Sequence, residues 1–124
     1  MEAERARWAR YRPMPISAFA AACAAAFALS ALPAHAAKRV IVIENMQFAP
    51  ANVTVKAGDE VTWDNKDLVV HTATAKGAFD SHSIAPGGSW TYMARTPGRY
   101  AYGCSLHPTM KATLVVEKAK ERKP

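Results

Sequence analysis

The sequence predicts an all-β domain: two packed sheets built from seven or eight short strands. Three observations predict it. No stretch after residue 37 holds a sustained helical apolar period. Val53/Val55, Val61/Trp63, Trp90/Tyr92 and Tyr100/Tyr102 are spaced by two, with small or polar residues between them, which is the period of a half-buried strand. Clusters of Gly, Pro, Asn and Asp then cut the β-branched and aromatic runs into short pieces.

Taken in order, the strands fall at 39–44 ("RVIVIE"), 52–56 ("NVTVK"), 60–65 ("EVTWDN"), 71–75 ("HTATA"), 89–94 ("SWTYMA"), 99–104 ("RYAYGC") and 112–118 ("ATLVVEK"). A short eighth piece fits at 47–50 ("QFAP"). The first and last are dense in β-branched residues, and the middle ones carry alternating aromatics that read as core. The turn chemistry between them lies in "AGD", "NKDL", "APGG" and "TPG".

The first third of the chain reads differently. Arg5, Arg7, Arg10 and Arg12 precede an uncharged, alanine-rich stretch from 16 to 32, and Ala34-His35-Ala36 follows as an A-x-A end. A basic start, an apolar middle and small residues before a cut make a secretory signal. The expected cut lies between Ala36 and Ala37. The same stretch kept as an anchor would sit at the lower edge of bilayer-spanning length. Lipid attachment at Cys23 fits poorly, because apolar residues continue beyond it. The expected organisation is a signal peptide at 1–36, one folded domain at 37–117 and a basic, disordered tail at 118–124. A domain this small buries only about 60% of its unfolded surface. Export to the periplasm is expected, with no stable membrane insertion after cleavage.

Charge and cysteine count narrow the function. Of the formal net charge of +6, the leader carries two and the tail three, leaving the domain near neutral. A chain with no basic stripe in its folded part is not expected to bind nucleic acid. With Cys23 gone, Cys104 has no partner for an internal disulfide. A lone thiol in an oxidising compartment is exposed to oxidation unless it is buried or held by a metal.

That thiol lies in "GCSLHPTM", residues 103–110, where Cys104, His107 and Met110 recur at intervals of three. Each alone has a plain reading: a buried small hydrophobe, a solvated imidazole, a core thioether. Together, at a strand end, they read as a metal site. Three extended residues span about 10 Å, so the loop must fold back, and Pro108 restricts it toward that. The remaining imidazoles of the domain are His71 and His82. His71, at the start of its own strand, lies where a sandwich brings strand ends together. One thiolate, two imidazoles and a thioether form the donor set of electron-transfer copper, whereas zinc has little use for a thioether. A cysteine nucleophile activated by histidine is the rival chemistry; it lacks an orienting third residue and an oxyanion device, and no enzyme is expected.

At these residues the chain resembles the cupredoxins, the type 1 blue copper proteins, over about residues 39–117. Cys104-x-x-His107-x-x-Met110 is similar to the short ligand loop of the amicyanins, the related plastocyanin and pseudoazurin loops being longer in places. "VTWDN" before His71, "FDS" at 79–81, "APGGSW" at 85–90 and "TPGRYAYGC" at 96–104 also resemble its framework. The resemblance implies a Greek-key β-sandwich and one copper ion held by His71, Cys104, His107 and Met110. It implies one-electron transfer by a monomer to transient partners such as a c-type cytochrome, a dehydrogenase or an oxidase. A periplasmic copper carrier or store would use the same ligands. It further implies that His107 can protonate and leave reduced copper, so that the potential rises as pH falls. Three departures stand out: Thr72 replaces an asparagine that ties the two ligand segments, with a Thr72–Ser105 hydrogen bond as the expected substitute. Gly103 replaces a larger residue and leaves one side of the thiolate less shielded. His82 replaces a glycine, either simply exposed or as a second, weaker copper contact. His107 is expected to reach the surface inside an apolar rim of Leu106, Pro108, Ile84 and Pro86.

Overall fold

A computed structural model describes residues 36–121. The segment expected to be a signal, with Cys23, lies outside the described residues apart from Ala36, as do the last three residues of the expected tail. Lys118–Glu121 follow the last strand and are exposed.

Among the described residues nine strands run β1 Lys38–Glu44, β2 Gln47–Ala49, β3 Asn52–Lys56, β4 Asp59–Asn65, β5 Thr74–Ala75, β6 Phe79–Asp80, β7 Ser89–Ala94, β8 Gly98–Gly103 and β9 Lys111–Glu117. They form two sheets, ordered β2-β1-β4-β7 and β3-β9-β8-β5-β6. The chain crosses between sheets after β2, β3, β4, β6 and β7, so β1 pairs with β4 and β3 with β9 in parallel. This is the expected Greek-key sandwich.

Alternation decides which faces meet. Ile41 and Ile43 of β1, Val61 and Trp63 of β4, Val53 and Val55 of β3, and Leu114 and Val116 of β9 all turn inward. Trp63 is fully buried, with ring centroids 5.5 Å from each of Phe79, Trp90 and Tyr102. The core therefore centres on aromatic rings, whose burial dominates the stabilising area of so small a domain.

Strand ends agree with the sequence reading to within a residue, except in the 71–75 run. There only Thr74–Ala75 joins a ladder. The cause is Ser81, whose Oγ accepts the Ala73 N–H at 2.7 Å and whose own N–H donates to the Ala73 carbonyl at 3.0 Å. These bonds take the place of a regular ladder. His71 is left in an isolated bridge to Ile84, with Ile84 N–H to His71 O at 2.7 Å and His71 N–H to Ile84 O at 3.2 Å. Because the ladder starts late, at Thr74, His71 sits at the end of the sandwich. Strand β6 had no sequence signal, since two residues show no period.

Candidate metal centre

The β8–β9 loop folds back through three backbone bonds. Met110 N–H donates to His107 O at 2.9 Å, His107 N–H to Cys104 O at 3.3 Å, and Cys104 N–H to Met110 O at 3.2 Å. The loop thus returns on itself within seven residues and presents Cys104, His107 and Met110 from successive turns. Gly103 makes this closure possible. A Cβ there would lie 2.6 Å from the Met110 carbonyl oxygen, so no larger residue fits without moving the loop. A groove lined by Thr74, Gly103, Cys104, Pro108 and Met110 runs beside the loop, but it does not give the loss of shielding expected of Gly103. Cys104 itself stays only 4% exposed.

The second segment comes from the β4–β5 loop. Asn65 ends β4 fully buried, and its amide donates to the carbonyls of Val69 and Ile84 at 2.9 Å each. That ties the 66–70 loop to the 84 region and aims His71 inward. The two ligand segments are stitched together by Thr72. Its N–H donates to Cys104 Sγ at 3.3 Å, its Oγ1 accepts the Ser105 N–H at 2.9 Å, and the two hydroxyls lie 3.1 Å apart. The expected Thr72–Ser105 link is present.

His71, Cys104 and His107 converge, with their ligand atoms all within 4.8 Å of one another. His71 Nδ1 lies 3.1 Å from His107 Nδ1, and Cys104 Sγ lies 3.8 Å from the first and 3.5 Å from the second. Metal–N bonds of about 2.0 Å and a metal–S bond of about 2.3 Å, set in a trigonal plane, would separate donors by about 3.5 to 3.8 Å. The triangle therefore has the size that one ion requires. Met110 is buried at 2% exposure in the same loop. His82 does not join the cluster: it is exposed, pairs with Asp80 at 3.7 Å and sits at a positive φ of 55°.

Two surroundings differ from the sequence reading. Ile84 is 3% exposed and belongs to the core, because its backbone bridge to His71 turns its side chain inward. It is not part of a rim. Leu106, at 54%, and Pro108 are exposed on either side of a half-buried His107 in the chain, and Pro86 is exposed too. Leu68 and Val69, on the loop before His71, add exposed apolar surface at 94% and 45%.

Sequence reasoning also missed Asp67. Its Oδ2 lies 2.7 Å from His71 Nε2, on the far side of the ring from the donor triangle. The residue stood in "NKDL", where an acid reads as turn chemistry; its place four residues before His71 was the available signal. Burial pushes the Asp67 carboxyl up, but hydrogen bonds from Met46, His71 and Asn45 outweigh this and hold it below its ordinary value.

The thiol is tuned in the same sense. Burial raises it, while hydrogen bonds from the Thr72 N–H, the His107 ring and the Leu106 N–H bring Cys104 down to about 6. In the metal-free protein the unfolded thiol, near 9.0, binds a proton that the folded one does not until about pH 6. The resulting stability is complete above pH 9 and is lost as pH falls to 6. Thermal melts of the metal-free protein should show Tm falling by more than about 5 °C across that window. A flat Tm from pH 9 to 6 would contradict the thiolate.

Comparisons with known proteins agree on one family. A family model described as a cupredoxin-like domain matches residues 17–116. The chain is 36% identical over 115 residues to amicyanin-alpha of Methylorubrum extorquens, covering 81% of this chain and 97% of that protein. It is 39% identical over 72 residues to chloroplastic plastocyanin of Tetradesmus obliquus, covering 48% and 50%. A solved amicyanin variant in its oxidized state matches with a TM-score of 0.62 at 26% identity, over 64% of this chain and 82% of that one. A Cu-containing nitrite reductase from Thermus scotoductus matches with a TM-score of 0.62 at 22% identity. That match covers 67% of this chain and 23% of the reductase, a likeness of fold alone.

Proposed function

The chain belongs to the cupredoxin-like family, and from that premise we propose that residues 37–117 form a small exported copper protein acting as a one-electron carrier. His71, Cys104 and His107 would hold the ion, with the Met110 thioether as the weakest donor. The observation that carries this reading is the triangle of Nδ1, Nδ1 and Sγ, already sized for one ion and locked by Thr72, Asn65 and the loop's own backbone bonds. Bound there, copper supplies the Cu(I)/Cu(II) couple.

The protein's part is to keep the donors still. His71 is fully buried and fixed at both backbone groups. Cys104 and Met110 are shielded from water. His107 is the donor nearest to solvent, beside exposed Leu106 and Pro108. A partner docking on that apolar surface would approach the site through the His107 ring. Such a contact is expected to be small and transient, as redox encounters are. A c-type cytochrome, dehydrogenase or oxidase fits this chemistry, the leader directs the chain to the periplasm, and the carrier works as a monomer. Donors already held at these separations favour electron transfer over copper delivery, because little has to move as an electron arrives or leaves.

Titration of the metal-free protein with Cu(II) tests the reading. One equivalent should produce an intense visible thiolate-to-copper band, which ascorbate bleaches and oxidation restores without loss of metal. A colourless complex would refute the site. Loss of copper to a Cu(I) chelator at each reduction would favour the delivery role.

A further inference from the structure

Asp67 lies outside the donor set, yet its two oxygens bind three N–H groups from separate parts of the chain. Oδ2 faces His71 Nε2 at 2.7 Å and accepts the Met46 N–H at 3.0 Å, while Oδ1 accepts the Asn45 N–H at 2.7 Å. Its own N–H donates to Asn65 Oδ1 at 3.0 Å.

The anchor is unusual. Asn45 and Met46 form the two-residue loop between β1 and β2, where Glu44 faces Gln47. Their φ values are 52° and 58°, the double left-handed geometry that suits a hairpin of this length. Asparagine tolerates it; methionine does so only with backbone strain. This turn points two successive N–H groups at one carboxylate, a small anion-binding nest. The carboxylate is thereby held against His71, and the strained turn is offset by the bonds it makes. Lys66, the adjacent cation, pairs with Asp64 at 3.0 Å instead, so it does not neutralise Asp67.

We propose that Asp67 is the positioning residue of the metal centre: it fixes His71 in the tautomer whose Nδ1 faces the ion, and it places a negative charge one imidazole away that favours the oxidised state. The first half follows from hydrogen-bond inventory. A carboxylate only accepts, so Nε2 carries the hydrogen and Nδ1 keeps its lone pair for the ion. With His71 fully buried, no water competes for Nε2. The second half follows from charge. The site carries one more positive charge when oxidised, and a fixed anion nearby stabilises that state more. The inference rests on the copper reading above for its second half alone.

The test uses the full chain. In the metal-free wild type, nitrogen-15 NMR should find His71 protonated at Nε2, with a slowly exchanging hydrogen. Asp67→Asn retains an acceptor for that hydrogen but removes the charge. Its copper form should keep the visible band while the Cu(II)/Cu(I) equilibrium moves about tenfold toward Cu(I), a rise of about 59 mV. Asp67→Ala should show the same sign and lose the slow exchange. A wild-type chain that takes copper without colour would overturn the copper reading and leave the tautomer to NMR. A coloured wild type whose variants keep its potential, or His71 protonated at Nδ1, would overturn the role of Asp67 alone.

Discussion

Cys104→Ser should abolish the visible band and weaken copper binding by more than about 100-fold, while the metal-free fold survives. The reason lies in what each donor supplies. Serine is close to cysteine in volume and remains able to accept the Thr72 N–H that now reaches Sγ at 3.3 Å. It offers neither a soft sulfur nor, near neutral pH, a negative charge. The colour of such a centre comes from the copper–thiolate bond, so no residual band is expected from two imidazoles and a thioether. Removal of an outer partner already costs about 10–100-fold in affinity, and loss of the one anionic ligand should exceed that. Isothermal titration with Cu(II), absorption spectra and far-ultraviolet circular dichroism decide the matter together. A variant that binds copper as tightly as wild type, or stays coloured, would mean that the thiol is not a ligand. The same variant should flatten the pH dependence of Tm between 9 and 6, because the group responsible would be gone.

How far the sequence carried depends on the kind of signal each feature leaves. Val61/Trp63 and Val53/Val55 revealed their strands because a two-residue period is a direct print of pleating. The candidate ligands of the loop were visible because three side chains of metal-binding type recur within seven residues. His71 was legible through its place between a turn and a strand. The failures share a cause. Asn65, Asp67 and Ser81 act through single side-chain-to-backbone bonds, and such bonds leave no periodic trace. Ser81 interrupts the ladder that "HTATA" seemed to promise. Asp67 reads as an ordinary turn acid until the β1–β2 turn, some twenty residues earlier, is seen to face it. Ile84 looked like rim from its neighbours, and only its bridge to His71 shows it turned inward. Composition and spacing therefore reveal the donors themselves, whereas the groups that orient them emerge from the tertiary pairing.

Trp63→Ala should bring the metal-free domain close to unfolding at room temperature. Trp63 is fully buried at the centre of the sandwich and touches rings from both sheets: Trp90 of β7, Phe79 of β6 and Tyr102 of β8. Truncating such a ring costs about 3–5 kcal/mol, against a total of about 5–15 kcal/mol for a whole domain. Tm should fall by more than about 10 °C, whereas Val40→Ala, at a position 57% exposed, should cost no more than about 0.5 kcal/mol. The effect reaches the metal centre through the chain itself. Tyr102 leans edge-on against Trp63 and lies one residue before Gly103, whose backbone sets the approach of Met110 to Cys104. A cavity beneath Tyr102 loosens that approach, so the donors lose their fixed separations as the core loses its ring. The donors converge only in the folded state, so excess copper should restore part of the lost Tm, by up to about 2.7 kcal/mol at one hundred times Kd. Differential scanning calorimetry with and without copper measures both quantities. A Tm within a few degrees of wild type would show that the two sheets are not held together at Trp63. A large loss that copper fails to relieve would show that core and metal centre are not coupled through β8.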